Sequence, residues 1–257
     1  MPGSILQSVI TDPTEPTVNV TFLLDISGSM YGEPINQLNV AMSDAVAIAE
    51  AAGINLETKV IMRVIKFEST ASWHIGNQQT GETHIDWKPL STGGGTDTAG
   101  AIKLARSIMN TNILGTTNYQ PVVILITDGQ SNDRNTTLQE AAALKQSLRN
   151  NAGAERIMCI SIGVKGADRT ELEAFATKGT IKYASGEIKE NTPFVFEISD
   201  IETLRNLILS VTKSSIVSSA SSNASYGEGL TPPTPTITET AWPQSLIGEI
   251  TGSQLVD

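Results

Sequence analysis

Four short apolar runs, at about 18–24, 59–67, 121–126 and 156–164, are separated by stretches whose apolar residues recur at helical spacing. That alternation leaves few folds open. The runs Val18-Asn19-Val20-Thr21-Phe22-Leu23-Leu24 and Pro121-Val122-Val123-Ile124-Leu125-Ile126 show almost no polar alternation, so both faces of the strands they form must be covered. The intervening stretches supply the cover. Leu38, Ala41, Met42, Ala45, Ile48 and Ala49 lie on one helical face, as do Ile102, Ala105, Ile108 and Met109, and then Leu138, Ala141, Leu144 and Leu148. Strand and helix in repetition specify an α/β fold: a doubly wound, mostly parallel central sheet with helices on both faces and right-handed crossovers.

The local signals place the boundaries. Pro34 suits the first turn of a helix over about 33–52, and Gly53 reads as its C-terminal stop. Ala71–Ile75 follows Lys59–Phe67 through the short turn Glu68-Ser69-Thr70, which makes it an antiparallel edge strand. Residues 76–95 form a long loop ending in Gly93-Gly94-Gly95, and a helix follows over about 97–111. Thr137 and Glu140 have capping-box spacing at the start of a helix over 136–150. Asp168 opens a short helix, Thr180–Ala184 reads as the last strand, and Ser199 with Glu202 opens a final helix to about Thr212. Residues 1–17 are expected to be an N-terminal arm, 18–212 the folded domain, and 213–257 a Ser/Thr/Pro-rich tail, largely disordered or docking in cis or trans. Trp242, Leu246, Ile247 and Ile250 are the tail's candidate docking residues.

Three loops carry chemistry. The first apolar run ends in Asp25-Ile26-Ser27-Gly28-Ser29, the glycine-rich loop ends at Thr96, and the third run ends in Thr127-Asp128-Gly129. In a doubly wound sheet the C-terminal ends of neighbouring strands at the switch point gather ligands. Asp25, Ser27, Ser29, Thr96 and Asp128 are therefore expected to converge. Two carboxylates and three hydroxyls are hard oxygen donors, suited to Mg²⁺, with Mn²⁺ or Ca²⁺ as substitutes. Ser27, Ser29 and Thr96 would bind directly and Asp25 and Asp128 at least partly through water, leaving a position for an incoming carboxylate. Asp97 reads first as a helix cap.

This set resembles the metal-ion-dependent adhesion site of the von Willebrand factor A (VWA) domain, whose motif is D-x-S-x-S, a distant Thr and a distant Asp in a T-D-G setting. The resemblance covers about 18–212. The wording Asp25-Ile26-Ser27-Gly28-Ser29-Met30-Tyr31-Gly32-Glu33-Pro34-Ile35, with Gly94-Gly95-Thr96 and Leu125-Ile126-Thr127-Asp128-Gly129, is similar to bacterial TerY-type proteins of tellurite-resistance clusters. The resemblance implies a metal-dependent protein-interaction module whose partner offers a Glu or Asp carboxylate. It also implies a protein kinase and a PP2C-type phosphatase as companions.

Rival readings fit less well. A phosphohydrolase of the D-x-D-x-T kind would carry an acid where Ser27 stands. No Walker A or G-x-S-x-G pattern occurs, so the expectation is a binding protein and not an enzyme. A homo-oligomer built by tail docking in trans is the structural alternative. The net charge of −10 and pI near 4.7 argue against nucleic acid or anionic membrane as partner. The single Cys159 excludes an intrachain disulfide framework. With no signal-peptide pattern at Met1–Leu6 and no membrane-length apolar run, the expected location is the cytoplasm.

Overall fold

The computed structural model describes residues 17–56, 58–76, 85–109, 120–148, 156–164, 166–183, 185–198, 202–221 and 236–238. Strand β1 (Thr17–Asp25) is buried along all nine residues. It lies between β2 (Lys59–Phe67) and β4 (Val122–Thr127), parallel to both. Beyond β2 lies β3 (Ala71–Ile75), antiparallel to it, and beyond β4 lie β5 (Met158–Gly163) and β8 (Val195–Glu197). The sheet order β3-β2-β1-β4-β5-β8 reverses direction at β1 and β4, which puts the ends of those two strands at the switch point.

Helices cover both faces. On one side α1 (Glu33–Asn55) and α5 (Glu202–Ser221) pack Leu38, Met42, Leu204 and Ile208 against Val20, Phe22, Leu24 and Ile124. On the other, α2 (Thr98–Ser107), α3 (Arg134–Ser147) and α4 (Arg169–Phe175) bring Ile102, Ala105, Leu144 and Phe175 against Leu23, Ile65 and Leu125. Leu38 and Met42 are fully buried, and each contributes about 1.5–3 kcal/mol by leaving water.

Several boundaries differ from the sequence expectation, each for a physical reason. Gly53 does not stop α1, which continues to Asn55; a Cβ there would stand 2.9 Å from the Thr58 carbonyl, so the glycine lets the helix lie close to the start of β2. The α3 cap is Asp133, which accepts from the Thr136 N–H at 3.0 Å, and not Thr137. Thr137 is buried and donates to the Asp133 carbonyl, while Glu140 pairs with Arg106. The predicted last strand is β6 (Lys178–Lys182), and it does not join the main sheet. The edge beside β5 is taken by β8, where the Ser161 N–H donates to the Phe194 carbonyl at 2.9 Å. Strand β6 forms a second sheet with β7 (Ile188–Pro193), antiparallel, and β9 (Thr236–Thr238), parallel.

Two pieces of the expected tail are ordered onto the domain. Helix α5 runs to Ser221, nine residues past the expected end at Thr212. Strand β9 brings Ile237 to 0% exposure in the core cluster that includes Ile181 and Ile208. The capping pair at Ser199, the docking residues from Trp242 onward and the N-terminal arm to Pro16 lie outside the described residues. Replacing Ile237 with Asp would bury an unpaired charge. We expect β9 to detach, so that β6 amides lose hydrogen-exchange protection while those of β1 and β4 keep theirs; unchanged protection in β6 would contradict this docking.

Candidate metal centre

The site is built from strand ends. Asp25 is the last residue of β1 and is fully buried. Thr127, the last residue of β4, lies one step beyond the Leu24–Ile126 ladder pair, as Asp25 does on β1. The Thr127 hydroxyl donates to Asp25 Oδ2 at 2.5 Å, and the Ser27 N–H donates to Oδ1 at 2.8 Å. Both oxygens of the deepest carboxylate are thus held in place. The chain then turns through a short 3-10 segment, Gly28–Met30, before α1 begins.

That turn sets the hydroxyls side by side. Ser27 Oγ and Ser29 Oγ are 3.0 Å apart, and Ser29 Oγ donates to Asp128 Oδ1 at 2.8 Å. Thr96 enters from the loop before α2. Its Oγ1 and Ser29 Oγ would lie 3.7 and 3.8 Å from a Cβ placed on Gly129, so both hydroxyls face the T-D-G turn across the space a side chain would fill. All five predicted residues are at this one place. Exposure grades outward: Asp25 and Ser27 are at 0% and 2%, Thr96 and Asp128 at 8% and 9%, and Ser29 is exposed.

Loop-to-loop hydrogen bonds keep the three segments together. The Gly28 N–H donates to the Gly94 carbonyl at 3.2 Å, and the Gly93 N–H to the Ile26 carbonyl at 2.8 Å. Gly94 has φ +64, and a Cβ on it would lie 2.4 Å from both Glu68 Oε2 and Ser69 Oγ, so the loop needs glycine there. Asn132 clasps Thr96 from both sides: its Oδ1 accepts from the Thr96 N–H at 3.1 Å, and its N–H donates to the Thr96 carbonyl at 2.9 Å. Asp97 caps α2 by accepting from the Gly100 N–H at 2.9 Å.

The electrostatics leave the two carboxylates wanting a cation. Burial pushes the Asp25 carboxyl above its ordinary value; donors from Ser27 and Thr127 oppose the rise, and the nearby Asp128 charge adds to it. Burial likewise pushes Asp128 up, opposed by the Ser29 hydroxyl. Among the described residues no group of three or more His, Cys, Asp or Glu is placed to hold a metal ion, so the hydroxyls are essential to any metal reading. An all-oxygen set with two buried, partly repelling carboxylates fits a divalent cation.

Sequence reasoning missed three contributors. Thr127 was legible in the T-D-G triplet, but its bond to Asp25 follows only from strand register. Asn132 and Glu171, which holds Ser131, carry no local signal of their roles. His74 stacks edge-on against Trp87 with ring centroids 5.2 Å apart. His84 lies outside the described residues.

Comparisons agree with this architecture. The family model described as von Willebrand factor type A domain matches residues 19–208. No curated protein is matched by sequence. Among solved structures, proximal thread matrix protein 1 from the mussel byssus, with a zinc-occupied MIDAS motif, is similar at 20% identity and TM-score 0.54, covering 79% of this chain and 46% of that one. A von Willebrand factor type A protein from Catenulispora acidiphila is similar at 19% identity and TM-score 0.50, covering 79% and 43%. The pilus adhesin SpaC from Lactobacillus rhamnosus GG, in an open conformation, is similar at 14% identity and TM-score 0.56, covering 79% and 30%. The chain spans less than half the length of each of these structures.

Proposed function

The chain belongs to the von Willebrand factor type A domain family, and from that premise we propose that it is a metal-dependent protein-interaction module with no catalytic step of its own. The observation that carries the reading is the junction of Ser27, Ser29 and Asp128, linked at 3.0 and 2.8 Å above the buried Asp25. Ser27, Ser29 and Thr96 would hold the ion through neutral oxygens, and Asp25 and Asp128 would balance its charge. A bound Mg²⁺, with Mn²⁺ or Ca²⁺ as substitutes, would supply a Lewis-acidic centre for a Glu or Asp carboxylate of a partner protein. Neutral hydroxyl donors leave more of the charge for that partner than a carboxylate cage would.

The rim supports a docking role. Tyr31, two residues after Ser29, is 81% exposed. An exposed tyrosine brings large contact area at low entropy cost and is over-represented among residues that dominate binding energy. In place of the second acid that a D-x-D-x-T phosphohydrolase needs, position 27 offers a serine packed against Ser29. Among the described residues no helix is long and apolar enough to cross a membrane. The finer assignment, a bacterial adaptor of the TerY type working beside a kinase and a PP2C-type phosphatase, rests on the wording of residues 25–35, 94–96 and 125–129.

A pull-down of native partners with the full chain as bait, in Mg²⁺ and in EDTA, tests the reading. We expect capture in Mg²⁺, release by EDTA and loss in Ser27→Ala with the fold retained. Tyr31→Ala should keep metal binding and weaken capture by about tenfold or more. Capture that ignores EDTA and Ser27→Ala alike would sink the mechanism.

A further inference from the structure

Glu171 is a carboxylate in an odd place. It lies in the first turn of α4, three residues after the Asp168 cap, and is only 6% exposed. At that spacing a Glu ordinarily reaches back to the N–H of the cap residue. Here it turns outward from its own helix to the loop after β4. Oε1 accepts from the Ser131 hydroxyl at 2.8 Å, and Oε2 accepts from the Ser131 N–H at 3.3 Å. A largely buried carboxylate is costly, and this one is directed at both donors of a single loop residue.

Ser131 is three residues from Asp128 and next to Asn132. Asn132 in turn holds Thr96 through both of its backbone groups. The same loop is approached from behind by Gly166, where a Cβ would stand 3.1 Å from the Asp128 carbonyl and φ is +105. The segment 128–132 therefore carries one candidate ligand, Asp128, and grips a second, Thr96, from another loop.

We propose that Glu171 is a positioning residue for the metal centre: acting through Ser131, it fixes segment 128–132 and so sets Asp128 and, through Asn132, Thr96 at one mutual spacing. The inference rests on the metal-site reading of those residues. Glu171 does not touch the site itself. Its effect is to keep two donors from different loops from drifting apart, and partners of this indirect kind alter metal affinity about 10–100-fold when changed.

The test is a calorimetric titration of Mn²⁺ into the full-length chain, alongside the metal-free melting temperature. The variants are Glu171→Leu, which fills the space but can accept from neither Ser131 donor, and Ser131→Ala, which trims one oxygen from a partly exposed loop. Each should weaken Mn²⁺ binding by about tenfold. The double variant should be no weaker than the poorer single, because the two act as one unit. Glu171→Asp, with its carboxylate kept, should recover part of the affinity lost in Glu171→Leu. A wild-type chain that binds Mn²⁺ with both single variants within twofold of it would overturn the inference and leave the metal reading standing. A wild-type chain that binds no Mn²⁺ would overturn both. Affinity losses that multiply in the double variant would also count against a shared path.

Discussion

Asp25→Asn should remove the metal-dependent part of this protein's stability while leaving the metal-free fold intact. Asparagine matches aspartate in shape. Its carbonyl can accept from the Ser27 N–H, and its NH₂ can donate to the Thr127 hydroxyl, which now turns to accept. What is lost is the charge. A ligand at a hundred times its dissociation constant stabilises a protein by about 2.7 kcal/mol. For a domain of this size that is a rise of about 5–10 °C in melting temperature. Wild type should show that rise with Mg²⁺ or Mn²⁺, and Asp25→Asn should not.

The same variant fixes the sign of the pH dependence. The folded-state pKa values of Asp25 and Asp128 are raised, chiefly by burial, so the folded chain holds protons that the unfolded chain has released. Their contribution to metal-free stability is fully present below the ordinary Asp value of about 3.9 and is lost as pH rises through the raised values. Metal-free Asp25→Asn should therefore melt at or above metal-free wild type at neutral pH and flatten this part of the pH profile. Metal affinity runs the other way: it should weaken as pH falls through the raised values, because protons and the cation compete for the same oxygens. A melting scan from pH 4 to 8, with and without Mn²⁺, reads both trends.

Thr127→Val should cost about 2–3 kcal/mol at neutral pH, or about 4–12 °C in melting temperature. Valine fills the threonine's space, so the core keeps its packing. The 2.5 Å donor to Asp25 Oδ2 disappears, and a fully buried carboxylate oxygen is left with no replacement from that side. The charged form of Asp25 loses a stabiliser, so its pKa moves further up. The cost should be full where Asp25 is ionised in wild type and should shrink as pH falls, since a protonated carboxyl no longer needs that donor. Metal affinity should drop as well, because Thr127 holds the orientation of a residue at the floor of the site. A Thr127→Val protein that melts with wild type at neutral pH would show that this hydrogen bond does not support Asp25.

How much was legible before the structure follows from where each signal resides. Strand β1 and Asp25 were readable because a strand covered on both faces must be apolar at every position, which breaks the usual alternation visibly. The convergence of Ser27, Ser29, Thr96 and Asp128 was readable because the order of strands in a doubly wound sheet fixes which ends meet. Strand β7 was not, since Ile188-Lys189-Glu190-Asn191 is exposed and carries no buried face to mark it. Strand β8 is only three residues long. The end of α5 was hidden by composition. Ser215 and Ser219 look like a low-complexity tail, yet both are fully buried, and their hydroxyls donate to the carbonyls of Thr212 and Gln120. Serine can bury in a helix when its hydroxyl finds a backbone acceptor, and composition alone does not reveal that. Glu171 was hidden for a related reason: its partner is forty residues away in sequence.

The central claim is that five oxygen-bearing side chains from three loops form one metal site. An anomalous diffraction map from crystals of the full chain soaked in Mn²⁺ tests it most directly. The account predicts one strong peak at coordination distance from Ser27 Oγ and Ser29 Oγ, with Asp25, Thr96 and Asp128 around it, absent in Asp25→Asn crystals. Saturating Mn²⁺ with no peak there, or a peak only at other residues, would contradict it.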